Sequence, residues 1–180
     1  MTCDSRLLFA RATTLAVALA AVCAIGPAAA QSPNLLGSFR DWHAYAMGAG
    51  GDKVCYALSQ PKDSDPKNVR RDPIFFLVSN WPARNVTGEP SVVPGYPYKD
   101  GGKVSVEIGA DKFELFTKNE GSDGGAWLED PAEEKRLLTA MKAGSTMVVK
   151  GTSSRGTLTS DHYSLLGITA ALDKIDQACK

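Results

Sequence analysis

The chain of 180 residues has no excess of charge of either sign, because 20 Lys and Arg residues balance 20 Asp and Glu residues. It therefore has no basic surplus to attract nucleic acid or anionic lipid, and no acidic tail. Beyond residue 30 it also lacks any apolar run long enough to cross a bilayer. We predict no nucleic-acid partner and no stable membrane insertion.

Histidine is scarce, which limits the chemistry that the sequence predicts. Neither His43 nor His162 has a carboxylate or thiol nearby at metal-ligand spacing. The chain lacks a Gly-x-Ser-x-Gly turn, and neighbouring residues of "DHYS" point to opposite faces of a strand. The glycine-rich "GAGGDK" lacks the ending of a phosphate-binding loop. We predict no catalytic residue, metal or cofactor, and therefore a protein that is not an enzyme.

The N-terminal residues have the layout of a secretory signal peptide. A lead with two arginines precedes an apolar run at residues 14–25, and residues 28–30 are alanines. This pattern predicts cleavage after Ala30 and a mature chain that begins at Gln31. The alternative is a membrane anchor, for which the run is short. We expect the periplasm, the outer envelope or the medium as the location, and a single domain over residues 31–180.

Export decides how the four cysteines are interpreted. Cys3 and Cys23 leave with the predicted signal peptide, and Cys55 and Cys179 remain in an oxidising compartment. We predict one disulfide between them, and the alternative is two unpaired thiols. Closing so long a loop stabilises a protein by about 4 kcal/mol in the chain-entropy model.

Short runs of aromatic and β-branched residues, separated by turn residues, predict a mainly β fold. The runs lie at residues 39–47, 53–59, 74–81, 103–109 and 112–118, and a further hairpin turns near Gly156. Two other segments, 60–73 and 88–102, are predicted to be loops. The pattern favours an antiparallel β-sandwich of two sheets with two short covering helices.

Capping residues and helical spacing predict the two helices. One begins with Asp130 as its N-cap and ends at Gly144. The other closes the chain with an apolar stripe formed by Ile168, Ala171, Leu172 and Ile175. Cys179 continues this stripe, and Cys55 shares one strand face with the small Ala57. We predict that the closing helix lies across that face and is tied to it by the disulfide.

Aromatic side chains on proline-rich loops form the candidate binding surface. Trp81, Tyr96 and Tyr98 are predicted to be exposed together and to bind a protein or a cell-wall glycan. The alternative is that these rings pack back on the sandwich. The basic cluster "VRRDP" at residues 69–73 is interpreted as a solvated loop in which Asp72 is the local partner.

Several segments together carry a resemblance to a known family. They are "DWHAY", "CYALSQPK", "RRDPIFFLVSNWPARNV", "GYPYKDG", "AWLEDPAEEKRLLTAMKAG" and "YSLLGITAALDKIDQAC". With these segments the chain resembles the invasion-associated locus B family of alphaproteobacteria over nearly all of the mature chain. It departs from many members in lacking a cysteine soon after Trp42 and a second cysteine pair in mid-chain.

The resemblance implies a small exported protein of the periplasm or outer envelope. Some members are linked to host-cell invasion, and no catalytic motif comes with the family. We therefore expect a non-enzymatic envelope protein that binds a protein or cell-envelope partner, in invasion or in envelope maintenance. The alternative is a periplasmic hydrolase or metal-dependent enzyme with an unrecognised site.

Overall fold

The computed structural model describes residues 32–180, so the predicted signal peptide and its cleavage site lie outside the described residues. The strands in this range are β1 Asn34–Phe39, β2 Trp42–Met47, β3 Val54–Ser59, β4 Asp63–Asp65, β5 Phe75–Trp81, β6 Val86–Val93, β7 Lys103–Ile108, β8 Asp111–Glu120, β9 Asp123–Trp127, β10 Thr146–Thr152 and β11 Leu158–Ser164. The α-helices are α1 Pro131–Ala143 and α2 Ile168–Ala178. No helix of this range has the length and apolar character that a membrane span needs.

The strands form one antiparallel sheet in the order β1-β2-β3-β5-β6-β9-β8-β7-β10-β11-β4. This sheet folds over, because the ring of Phe76 on β5 lies 6.0 Å from that of Tyr163 on the distant strand β11. Across the same interior, Trp42 Nε1 donates to the Ser164 carbonyl oxygen at 3.0 Å. The mainly antiparallel sandwich with two helices is confirmed, with one correction. Its two layers are halves of one hydrogen-bonded sheet rather than two sheets.

Alternation along the strands builds the core. Val104 and Val106 of β7 are fully buried, and Phe113 and Leu115 of β8 lie opposite them. Burying one such aliphatic or aromatic side chain contributes about 1.5–3 kcal/mol. The period-two pattern of this hairpin therefore predicted its buried face correctly.

Four strands were missed in the sequence, namely β1, β4, β6 and β9. In β6 and β9, glycine and proline lower the strand signal. Strand β6 occupies part of the predicted loop 88–102, and β9 contains Gly124 and Gly125. Pro90 is tolerated in β6 because β9 pairs with that strand only at Ser91 and Val92. At Gly125 a Cβ atom would lie 2.1 Å from the ring of Trp127, so packing requires glycine there. The short β4 likewise falls within the predicted loop 60–73.

Helix α1 has the predicted boundaries. The Asp130 carboxylate accepts a hydrogen bond from the Ala132 amide at 2.8 Å, and the helix ends at Gly144. The cap satisfies one of the free N–H groups of the first turn. Leu137 and Met141 are fully buried and join α1 to the core.

Helix α2 covers the small-residue face of the sheet, and the disulfide predicted to hold it is confirmed. Cys55 and Cys179 are bonded, with their Cα atoms 5.9 Å apart. Two further contacts hold the same end: Lys53 Nζ donates to the Ala178 carbonyl at 2.5 Å, and Asn80 donates to Asp176 at 2.7 Å. The last turn of the chain is therefore fixed at three points.

The start of α2 depends on a glycine. Gly167 has a φ of 96°, and a Cβ atom there would lie 1.8 Å from the carbonyl oxygen of Phe39. Glycine adopts this left-handed conformation without steric cost. The turn between β1 and β2 can therefore lie directly against the first turn of α2.

Candidate binding cleft

The segment that carries Tyr96 and Tyr98 packs against the hairpin formed by β10 and β11. The amide and carbonyl of Tyr98 both bond to the Asn119 side chain at 2.8 Å, and Tyr98 also forms a β-bridge with Ser153. Gly151 makes room for the rings, because a Cβ atom there would lie 2.7 Å from the Tyr98 ring. The segment is therefore fixed in position by main-chain hydrogen bonds.

The three predicted aromatic residues do not form one exposed surface. Tyr98 is only 1% exposed and packs edge-to-face on half-buried Tyr96, with ring centroids 5.3 Å apart. For Tyr98 the alternative of packing back on the sandwich is the correct one, since both its backbone and its ring are held by the core. Burial also raises the pKa of the Tyr98 hydroxyl.

Trp81 lies at the other end of the hairpin of β5 and β6. Its partner across the strands is Val86, whereas Tyr96 follows Val93 at the opposite end of β6. That separation is roughly 20 Å along the strand. The half-buried Trp81 ring donates from Nε1 to Glu89 at 3.0 Å and lies 4.6 Å from the guanidinium of Arg84. Trp81 therefore cannot share a site with Tyr96.

The structure corrects the interpretation of the basic cluster as a solvated loop with Asp72 as its partner. The Arg71 side chain is 7% exposed and pairs with Asp161, whose side chain is 3% exposed. Two parallel hydrogen bonds join them, from Nη1 at 2.7 Å and from Nη2 at 2.8 Å. Nε and Nη2 of Arg71 also donate to the Pro94 carbonyl, at 2.9 and 2.7 Å. Arg71 therefore joins three separate segments.

The buried charge of Asp161 follows from strand alternation. Thr159, Asp161 and Tyr163 share the inward face of β11, and all three are buried. A buried carboxylate needs a charged or hydrogen-bonding partner, which Arg71 supplies. Burial by itself lowers the pKa of Arg71, but the hydrogen bonds and charge of Asp161 outweigh it and the net shift is upward. The guanidinium therefore stays charged inside the protein.

Tyr96 is positioned by this ion pair. The guanidinium carbon of Arg71 lies 4.9 Å from the Tyr96 ring centroid, which is a cation–π distance. The Tyr96 hydroxyl shares a 2.6 Å hydrogen bond with Thr159. Burial raises the pKa of Tyr96, so the hydroxyl remains protonated at neutral pH. In contrast, the buried Tyr163 hydroxyl has no hydrogen-bond partner within residues 32–180.

A cleft of about 720 Å³ opens beside Tyr96. We call it the Tyr96 cleft. Its lining residues are Asn68, Val69, Arg70, Arg71, Asp72, Gly95, Tyr96, Pro97, Ser122, Ser153, Ser154, Arg155, Thr157 and Thr159. This volume falls within the range of about 300–1,000 Å³ that is typical of ligand pockets. Its lining combines polar, cationic and apolar side chains, and it includes Arg71 of the buried ion pair.

The histidines lie away from this cleft. His43 Nδ1 and the Ser38 hydroxyl are 2.9 Å apart. His162 is exposed on β11 and is paired with Asp63 on the neighbouring strand β4. Neither histidine is among the residues that line the Tyr96 cleft. Within residues 32–180, no three His, Cys, Asp or Glu side chains are grouped so that they could hold a metal ion.

Sequence reasoning missed Asp161, Arg70 and Arg155 as site residues. A signal for Asp161 was present, since it alternates with Thr159 and Tyr163 on the inward face of a strand. A carboxylate on such a face predicts a buried cation, although not which one. No comparable signal marks Arg155, because it lies in the turn between β10 and β11.

Comparison with known proteins shows the family and supports the fold. The model of the family described as invasion associated locus B (IalB) protein matches residues 42–176. The chain belongs to the IalB family. Among solved structures, the crystal structure of invasion associated protein b from Bartonella henselae aligns with a TM-score of 0.54 at 15% identity, covering 79% of this chain and 96% of that chain. At this identity the likeness shows the fold alone. Comparison with curated proteins gave no match.

Proposed function

We propose that this IalB family member is an exported, non-enzymatic protein of the cell envelope that binds a protein or cell-envelope partner in the Tyr96 cleft. The observation that carries the proposal is the cleft itself, which has ligand-sized volume and walls fixed in advance by Arg71, Asp161 and Asn119. Preformed walls favour binding because little conformational freedom is lost when the partner arrives.

The family and the fold support a role at the envelope. The solved neighbour is described as an invasion associated protein, and the N-terminal sequence predicts export. Two cellular roles follow, host-cell invasion and envelope maintenance. A deletion strain separates them, because the first predicts a defect in entering host cells and the second predicts sensitivity to detergent without host cells.

The binding proposal is tested by crosslinked affinity capture from intact cells with a blocked cleft. Ser154 is an exposed cleft residue whose amide bonds to the Pro97 carbonyl, so Ser154→Trp places a large ring at the cleft and keeps that bond. Ser145 is the matched control. It is also exposed and also makes a main-chain hydrogen bond, which its carbonyl accepts from the Leu165 amide, and it precedes the far end of β10.

We expect Ser154→Trp to lose the captured partner, whereas Ser145→Trp retains it and both variants melt at the wild-type temperature. Equal recovery by both variants contradicts binding in the cleft. Replacing His43 and His162 together by Ala should leave recovery and phenotype unchanged. A stable double variant that keeps its partner but loses the phenotype favours the hydrolase or metal-dependent enzyme instead.

A further inference from the structure

The Tyr96 cleft has more positive than negative charge, although the chain as a whole is balanced. Its lining has three arginines, Arg70, Arg71 and Arg155, and one carboxylate, Asp72. The charge of Arg71 is already compensated by Asp161. Arg70 and Arg155 are exposed, and within residues 32–180 neither has a carboxylate oxygen within 4.0 Å.

Two other exposed arginines of the described chain are engaged by protein groups. Arg136 pairs with Glu133 at 2.8 Å and with Asp111 at 3.2 Å, and Arg84 stacks on Trp81. Within residues 32–180, no protein group engages Arg70 or Arg155, which is also true of the exposed Arg40. The two cleft arginines differ from Arg40 because they line one cleft together.

Arg71 adds a buried donor to the same lining. A guanidinium has five N–H groups. Four of them bond to Asp161 and Pro94, and the second hydrogen of Nη1 has no acceptor within residues 32–180. The exposed hydroxyls of Ser122 and Ser154 are further donors in the lining. The cleft thus has several donors and little competing negative charge.

We propose that the Tyr96 cleft binds an oxyanion group of the partner, a carboxylate or a phosphate, through Arg70 and Arg155. This inference rests on the proposed function, since it names the chemistry of the partner in the same cleft. Planar guanidinium groups form paired, charge-assisted hydrogen bonds with both kinds of oxyanion. Because both arginines are exposed, binding must weaken as salt is added.

Isothermal titration of the oxidised, exported protein with defined probes tests the inference. The probes are hexaglutamate for carboxylates, inorganic pyrophosphate for phosphates and hexaglutamine as the neutral control. The test variants are Arg70→Gln and Arg155→Gln. Arg84→Gln is the matched control, because it removes the same charge from an exposed arginine near the opposite end of the β5 and β6 hairpin.

We expect hexaglutamate, pyrophosphate or both to bind, and hexaglutamine not to bind. Each cleft variant should weaken binding by about tenfold, the lower range for hydrogen bonds between charged groups, whereas Arg84→Gln should not. The probe that binds more tightly identifies the source of the oxyanion. Amide shifts of Ser154 and Gly156 in ¹⁵N spectra should accompany binding.

Three results overturn the inference: neither anionic probe binds, hexaglutamine binds equally well, or Arg84→Gln weakens binding as much as the cleft variants do. The capture experiment separates this failure from that of the proposed function. If Ser154→Trp loses its partner while Arg70→Gln and Arg155→Gln retain it, the cleft binds a partner but does not recognise an oxyanion group on it. If Ser154→Trp also retains its partner, binding in the cleft is wrong altogether.

Discussion

The ion pair beneath the cleft is expected to be among the most sensitive contacts in the molecule. Asp161→Asn keeps the size of the side chain and removes its charge, so the Arg71 cation remains buried without a counter-charge. Arg71 and Asp161 are 7% and 3% exposed and share two hydrogen bonds of 2.7 and 2.8 Å. Breaking such a pair costs about 3–5 kcal/mol, a large part of the stability of a typical domain.

The matched control is an exposed pair of the same chemistry. Glu133 and Arg136 are 2.8 Å apart, with side chains that are 41% and 42% exposed. Solvent screens such pairs, so Glu133→Gln should cost much less than Asp161→Asn. Urea unfolding followed by tryptophan fluorescence measures both costs, and the melting temperature of Asp161→Asn should fall by roughly 6–20 °C.

A double variant makes the argument specific to the pair. Arg71→Met combined with Asp161→Asn should cost less than the sum of the two single changes, because each single change leaves one buried group without its partner. The reasoning is refuted if Asp161→Asn costs no more than Glu133→Gln, or if the two single costs simply add.

Three further predictions concern stability. Cys179→Ser opens a loop with a sequence separation of 124, which should cost about 2–5 kcal/mol and speed hydrogen exchange in α2 first; equal speeding throughout the protein would argue against a local role. Tyr96→Phe should cost about 1 kcal/mol because it removes a hydrogen bond, whereas Tyr163→Phe, which removes an unsatisfied hydroxyl, should be neutral or stabilising in the same urea assay. The hydrogen bond from Lys62 lowers the pKa of Asp41 below 3.8. The ionised Asp41 carboxylate therefore stabilises the folded protein fully above about pH 4, and this stabilisation is lost as the pH falls through the folded-state pKa. Asp41→Asn should flatten that part of the plot of stability against pH, and an unchanged plot would contradict the assignment.

The disulfide and the closing helix were predictable from simple features of the sequence. The disulfide follows from the number of cysteines, and the helix follows from the spacing of apolar residues within one short segment. The predicted signal peptide contains Cys3 and Cys23, so Cys55 and Cys179 were the expected pair, and Cys179 continues the helical stripe that ends at Ile175. The small face around Ala57 indicated where a helix could approach the sheet. These inferences needed only short segments and a count of the cysteines.

The cleft was not predictable in the same way because it depends on contacts between distant segments. Arg71 and Asp161 are 90 positions apart, and nothing in "VRRDP" distinguishes a buried arginine from a solvated one. Tyr98 presented a related difficulty, since its burial depends on Asn119 and Gly151. Proline and glycine around it indicated a loop, but not the surface on which that loop packs.

The central claim is that a partner binds in the Tyr96 cleft, and site-specific photocrosslinking in living cells tests it most directly. A photoreactive benzoylphenylalanine replaces Ser154 at the cleft in one strain and Ser145 at the far end of β10 in the other. The account predicts one defined crosslinked partner from position 154 and none from position 145. Equal yields at both positions, or a crosslink from position 145 alone, would contradict it.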